Sequence, residues 1–130
     1  MIYLDTSAFL KSVLDEPQSP ALRRYLDEVD PDALVSSKLL AVESRRGILR
    51  NRRARMPAVD AALAVVTLLD ISDTVIESAS RLPDPMLRSL DAIHLATAML
   101  IREDVDVLLS YDDRLTAAAA SHGLKTASPR

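Results

Sequence analysis

The chain of 130 residues contains no cysteine and no tryptophan, only two glycines, and one phenylalanine. Without cysteine there are no disulfide staples and no thiolate metal sites, and the composition fits a reducing compartment. Scarce glycine beside abundant alanine and leucine argues for a helix-rich fold. With few aromatics, the core must be built from Leu, Ala, Val and Ile, and at 48% apolar residues there is enough material for one. No hydrophobic run is long enough to span a bilayer, which takes about 20 apolar residues. The most apolar stretch, Ala92–Ile101, is interrupted by His94 and Thr97. The opening MIYLDTSAFL has neither the basic region nor the long apolar stretch of a secretory leader. These absences predict a soluble cytoplasmic protein of one domain, with no membrane role. No glycine-rich phosphate loop is present, so nucleoside triphosphate binding is not expected. The net charge of −3 does not suit a protein that coats nucleic acid, yet six arginines crowd between Arg45 and Arg55.

The residues that are present alternate between strand and helix signals. Met1–Leu4 reads as a short strand and Ser7–Asp15 as a helix stopped by Pro17. Ser19 before Pro20 predicts an N-cap and a helix to about Val29. Ala33–Ser36 suits a second strand, followed by an amphipathic helix from Ser37 to about Arg53. Pro57 opens a helix to about Leu68. Leu68–Ser72 fits a third strand and Asp73–Leu82 another helix, broken by Pro83-Asp84-Pro85. Ser89 is placed to cap the helix LDAIHLATAMLIRE. Val105–Ser110 is a continuous apolar run bounded by polar residues, the clearest strand of the chain. Asp112–Ala120 is helical, Gly123 stops it, and LKTAS is a last strand. No hairpin signal occurs. Strands alternating with helices predict parallel strands joined by helical crossovers, with helices on both faces of the sheet.

In such sheets, ligands bind beyond the carboxyl ends of the strands. Asp5 follows the first strand, and Asp112 follows the strand VDVLLS. Asp91 lies in the first turn of the most apolar helix, and Glu43 about two turns into the helix after strand two. All four can reach one edge of the sheet. Carboxylates brought together repel unless protons or cations neutralise them, and oxygen ligands suit Mg²⁺ or Mn²⁺ rather than zinc. Each acid also has a plainer explanation. Asp5 and Asp112 can be helix N-caps, with Asp113 a first-turn acid. Asp91 can serve a helix N-terminus, and Glu43 can pair with Arg46 or Arg50. The functional case rests on their joint placement.

Four segments, LDTSAFLK, SSKLLAVESRRGILR, LRSLDAIHLATA and LLSYDDRL, occur in an order and spacing that resembles the PIN-domain ribonucleases, in particular the VapC-type toxins of toxin–antitoxin pairs. The likeness covers essentially the whole chain. It implies a PIN-like α/β fold, a three-layer α/β/α sandwich with a short parallel central sheet. It also implies a metal-dependent endoribonuclease that cleaves RNA phosphodiesters with a metal-activated water and leaves a 5′-phosphate. The family's acids map onto Asp5, Glu43, Asp91 and Asp112. Asp5 and Asp91 are expected as the core ligands of Mg²⁺ or Mn²⁺. Asp112 and Glu43 would hold a second metal or orient waters, and Thr6 and Ser110 would fix the carboxylates.

His94, three residues after Asp91 on the same helix face, is read as a core histidine that positions Asp91, the alternative being a base or metal ligand. His122, beside Gly123 at a helix end, is expected to interact with the helix dipole. Arg46 and Arg50, three and seven positions after Glu43, can line a groove that binds RNA phosphates. The basic segment can equally meet an acidic partner or be a solvated helix end. The resemblance further implies a cognate antitoxin protein inserted near the acids, and a homodimer. The helix around Ala58–Leu69 is apolar enough for that interface, or packs only within its own domain. A haloacid-dehalogenase-like phosphatase would need an acid where Ser7 stands, and a receiver-like domain would need further acids beside the first. A catalytically inactive PIN-fold binding module is the remaining rival, separable by metal uptake.

Overall fold

A computed structural model describes residues 1–130. Five short strands, β1 (Ile2–Leu4), β2 (Leu34–Ser37), β3 (Thr67–Leu69), β4 (Val107–Leu109) and β5 (Thr126–Ala127), form one sheet in the order β3-β2-β1-β4-β5. Every pairing is parallel, with Tyr3 opposite Val35 on one side and Leu108 on the other. Seven helices connect them: α1 (Thr6–Val13), α2 (Ser19–Asp27), α3 (Leu39–Leu49), α4 (Met56–Leu63), α5 (Asp73–Ser80), α6 (Ser89–Leu100) and α7 (Asp113–Ser121).

The strands alternate in which face they bury, as a pleated sheet requires. Ile2, Leu4, Val107 and Leu109 point to one side, where they meet Phe9 of α1, Leu22 of α2, Leu40 and Ile48 of α3, and Val59 and Leu63 of α4. Tyr3, Val35 and Leu108 point to the other, against Leu95 and Ala98 of α6 and Leu115 and Ala119 of α7. The expected three-layer sandwich is therefore present. Full burial of each such leucine, valine or phenylalanine contributes about 1.5–3 kcal/mol, so both faces are needed to hold strands of only two to four residues. No helix is long and apolar enough to cross a membrane.

Several boundaries differ from expectation. Ser19 and Ser89 are the first helical residues, and Gln18 and Arg88 precede them without side-chain caps. Ser19 Oγ is engaged elsewhere, accepting from the Glu16 amide and donating to the Leu14 carbonyl, which closes the turn between α1 and α2. α3 ends at Leu49 rather than Arg53. There Arg52 pairs with Glu16 at 3.3 Å and Arg55 donates to the Val13 carbonyl at 2.7 Å, which draws the segment away from the helix axis. β3 lies before Ser72 because that serine caps α5, accepting from the Val75 amide. α6 stops at Leu100, short of the expected Glu103. Gly123 ends α7 with φ +86°, a left-handed conformation that suits glycine. α4 turns Val59 and Leu63 into the chain's own core, while Ala61, Ala64 and Val65 on and just after it are exposed.

Candidate active site

Strand order reverses direction between β1 and β4, which opens a crevice at their carboxyl ends. Asp5 leaves β1 at this point and caps α1, its Oδ1 accepting from the Ala8 amide at 2.8 Å. It is 3% exposed. Ser7 Oγ donates to the same carboxylate at 2.7 Å, and Ser110 Oγ, at the end of β4, donates to Oδ2 at 2.5 Å. Ser110 Oγ in turn accepts the Asp112 amide at 3.0 Å, so one hydroxyl links two acids. Asp112 caps α7 through Oδ1, which accepts from the Arg114 and Leu115 amides, and so turns Oδ2 outward. Asp113 begins α7 as an exposed first-turn acid.

Asp91 projects from the first turn of α6. Glu43 projects from α3, with its Oε1 accepting from Thr6 Oγ1 at 2.6 Å and from His94 Nε2 at 2.7 Å. His94 Nδ1 meets the hydroxyl of buried Tyr3 at 2.8 Å, and the two rings stand edge to face. His94 is thus the expected buried core histidine, but the acid it positions is Glu43 and not Asp91. The buried side of α6 at residue 94 faces α3, whereas Asp91 faces the crevice. His122 stands at the C-terminal end of α7, as expected, and its Nε2 also bonds Asp84 Oδ2 at 2.8 Å.

Two residues were not anticipated. Ser7 holds Asp5 from its own helix and also accepts the Tyr111 amide at 2.9 Å, tying α1 to the end of β4. Arg88 bridges Asp91 Oδ2 at 3.5 Å and Asp112 Oδ2 at 3.2 Å. Its signal in the sequence is the spacing Arg-x-x-Asp, three residues apart at a helix start. With Glu43, Ser89, Leu90 and Asp91 it lines a cavity of about 290 Å³. A hollow of about 340 Å³ between α5 and α6, lined by groups such as Ile76, Leu82 and Ile93, contains none of the four acids.

The electrostatics follow from these placements. Burial pushes the Asp5 carboxyl above the ordinary range, against the opposing hydrogen bonds of Ser110, Ala8 and Ser7. Burial, and then the charge of Asp112, raise Asp91, with Arg88 and His94 acting in the other direction. Burial also works against the Glu43 carboxylate, but hydrogen bonds from His94 and Thr6 outweigh it and hold its pKa low. Glu43 is thus shifted downward, and Asp5 and Asp91 upward, each by its own surroundings.

Ser110 links Asp5 to Asp112, Arg88 links Asp112 to Asp91, and Glu43, bonded to Thr6 and His94, shares a cavity with Asp91; no three of the acids and histidines converge into a ready-made ligand cage. The single four-acid pocket inferred from the sequence is therefore looser than expected. The donors nonetheless fit a hard divalent cation. They are all oxygens, Mg²⁺ takes only one or two carboxylates directly and keeps several waters, and Asp91 with Asp112 already shares one cationic group. Thr6 and Ser110 each fix a carboxylate, Glu43 and Asp5 respectively. Arg46 is exposed on α3, and Arg50 is exposed just past its end. Their neighbours serve the fold: Arg45 pairs with Asp60 at 2.9 Å, Arg52 with Glu16, and Arg55 with the chain at Val13.

Comparison with known proteins agrees with this architecture. The PIN domain family matches residues 2–121. Ribonuclease VapC46 of Mycobacterium tuberculosis (strain ATCC 25618 / H37Rv) is 42% identical over 128 residues, 98% of this chain and 97% of the relative. Among solved structures, FitAcB of Neisseria gonorrhoeae superposes with a TM-score of 0.77 at 16% identity over 99% of this chain and 98% of that one. VapC20 of Mycobacterium tuberculosis, described as a sarcin–ricin loop cleaving toxin, superposes with a TM-score of 0.74 at 21% identity, over 99% of this chain and 100% of that one. A parallel sheet with carboxylates gathered beyond β1 and β4, matched over nearly the whole length by these proteins, means that the chain belongs to the PIN-domain family.

Proposed function

We propose that the protein is a divalent-metal-dependent endoribonuclease, the toxin of a toxin–antitoxin pair, which hydrolyses RNA phosphodiesters with an activated water. One observation carries this reading above the others: Asp91 and Asp112, from separate elements, are bridged by a cationic group at the carboxyl ends of β1 and β4. The strong identity to a protein named ribonuclease supports the choice of substrate.

Asp91 and Asp112 would hold Mg²⁺ or Mn²⁺, in place of the Asp5–Asp91 pair expected from the sequence, because Ser7, Ser110 and the Ala8 amide already occupy both Asp5 oxygens. A bound ion of this kind acts as a Lewis acid on a phosphoryl oxygen and makes a coordinated water nucleophilic near neutral pH. The chain's own residues prepare the remainder. Ser7, Ser110 and the Ala8 amide hold Asp5 in one rotamer while it carries charge. Thr6 and His94 occupy Glu43 Oε1, which leaves Oε2 to hold and orient a water. Arg46 and Arg50 would bind flanking phosphates. Replacing both with alanine would then weaken RNA binding and make its salt dependence shallower by about 0.7 in log–log slope for each phosphate that is no longer neutralised. A toxin also needs an inhibitor, so an antitoxin protein is the expected partner. A second copy of the chain, and a cytoplasmic location where RNA is accessible, belong to the same reading.

The test is to map RNA ends after expression of the wild type and of Asp5→Ala. Cuts bearing 5′-phosphates that appear only with the wild type are expected, and calorimetry with Mn²⁺ should show uptake that Asp91→Asn removes. A folded wild type that takes up no Mn²⁺ and leaves RNA uncut would make the chain a binding module instead.

A further inference from the structure

We propose that Arg88 is a built-in counter-cation that alternates between two anionic partners. It neutralises Asp91 and Asp112 when no divalent ion is bound, and it binds a phosphate of the RNA once such an ion takes its place. This rests on the function proposed above and adds a residue to it that directly touches substrate.

Three features of Arg88 converge. Its guanidinium spans two like-charged carboxylates from separate elements, at 3.5 Å from Asp91 and 3.2 Å from Asp112, so it stands where a cation is needed. The side chain is 71% exposed, against 18% for Asp91 and 21% for Asp112. The acids are therefore set into the wall, while the arginine reaches over them from solvent. Its backbone precedes the first turn of α6 in an extended conformation, and its side chain caps nothing. Releasing the two carboxylates thus costs the helix no hydrogen bond.

Exposed ion pairs are weak, and a divalent ion competes effectively for two carboxylates held by one. After displacement the guanidinium stays tethered beside Ser89, at the rim of the cavity shared by Glu43 and Asp91. The anion then brought to that rim is the phosphodiester. A planar guanidinium matches phosphate oxygens through paired N–H donors, which a lysine ammonium does not. Arg46, on α3, and Arg50, just past its end, touch none of the four acids and lack this position. The charged groups facing Arg88 are Asp91 on its own helix, Asp112 from α7 and, through its field, Glu43 from α3.

The two halves of the exchange predict effects of opposite sign from one substitution. In full-length Arg88→Gln, calorimetry should show Mn²⁺ binding about two- to tenfold tighter than wild type, because the competing ion pairs are gone. Binding of single-stranded RNA, with Ca²⁺ replacing Mn²⁺ to slow cleavage, should weaken about fivefold, and its salt slope should become shallower by roughly 0.7. Arg88→Lys keeps the charge and should stay near wild type for Mn²⁺ while binding RNA less tightly. Mn²⁺ affinity unchanged or weaker in Arg88→Gln overturns the exchange. So does unchanged RNA affinity, or a lysine variant that matches glutamine in Mn²⁺ binding. If wild type and variant alike take up no Mn²⁺, the metal-dependent reading itself has failed, a result distinct from equal uptake by both, which defeats only the role of Arg88.

Discussion

Ser110→Ala removes one oxygen atom from the interior, and its consequences can be worked out from the partners of that atom. Ser110 is fully buried, donates to Asp5 Oδ2 and accepts from the Asp112 amide. A hydrogen bond to a charged group contributes about 1.5–3 kcal/mol, and a buried donor left without a partner costs about 1–3 kcal/mol. Ser7 Oγ, 3.0 Å from the same Asp5 oxygen, recovers part of the loss. The expected destabilisation at neutral pH is therefore about 2–4 kcal/mol, or roughly 7–15 °C in Tm for a domain of this size.

The pH dependence is a sharper test. The Asp5 carboxyl is raised in the folded state. Over the interval between its unfolded and folded values, the native state holds a proton that the unfolded chain has released. Stability from this group thus falls as pH rises through that interval. Ser110 favours the charged carboxylate, so its removal lifts the folded value further and widens the interval upward. At low pH the variant loses a bond to a neutral acid, about 1 kcal/mol, and the acceptor of the Asp112 amide, a loss that does not vary with pH; its deficit then grows as pH rises. Urea unfolding of the metal-free protein at a series of pH values measures both quantities. A deficit that is constant with pH, or below about 0.5 kcal/mol throughout, would refute the assignment of Ser110 as the donor that keeps Asp5 charged.

Other perturbations test separate parts of the structure. Tyr3→Phe deletes the hydroxyl that holds His94 Nδ1; it should cost about 1–3 kcal/mol in urea unfolding and lower RNA cleavage modestly, since Glu43 keeps its bond to Thr6. Gly123→Ala forces a side chain into a positive φ and within 3.1 Å of an Arg102 nitrogen, so Tm should fall by an amount equivalent to about 1–2 kcal/mol with cleavage unchanged. Because Asp91 retains its proton above the ordinary carboxyl range, Mn²⁺ uptake should strengthen as pH rises through that range and release protons. Calorimetry in buffers of different ionisation enthalpy reads that release, and uptake independent of pH would count against Asp91 as a ligand.

Much of this was legible in the sequence because the signals were local and redundant. Val107–Leu109, inside the expected Val105–Ser110 strand, is apolar on both faces, as a central parallel strand must be, and forms β4. Asp5 and Asp112 each follow a strand, so topology alone places them on one edge. The helix at Ser19 starts one residue earlier than expected because a serine beside a turn has several possible partners, and tertiary packing selects the Glu16 amide and the Leu14 carbonyl. The partner of His94 was unreadable for a similar reason. Spacing along α6 pairs it with Asp91, but the choice is made by how α3 packs against α6, which brings Glu43 within 2.7 Å. Arg88 was overlooked because its second partner, Asp112, lies 24 residues away on another element.

The two explanations offered for the acids, helix cap and functional carboxylate, prove to be compatible. Asp5 and Asp112 each commit one oxygen to the amides of the helix they begin; the other accepts from Ser110 in Asp5 and meets Arg88 in Asp112. A helix N-terminus carries partial positive charge that favours an anion there, so capping offsets some of the repulsion that gathering carboxylates creates. It also fixes the rotamer, since an oxygen bonded to a main-chain amide cannot swing away with the solvent. A parallel sheet is well suited to this, because each strand that ends at the crevice hands over to a helix that begins there. Asp91, in a first turn but capping nothing, lacks the amide bonds and is the acid that needs Arg88. The prediction that follows is specific: loss of Arg88 should raise the Asp91 carboxyl further while leaving the capping bonds of Asp112 intact, a difference that carboxyl-resolved NMR titration of Arg88→Gln would detect.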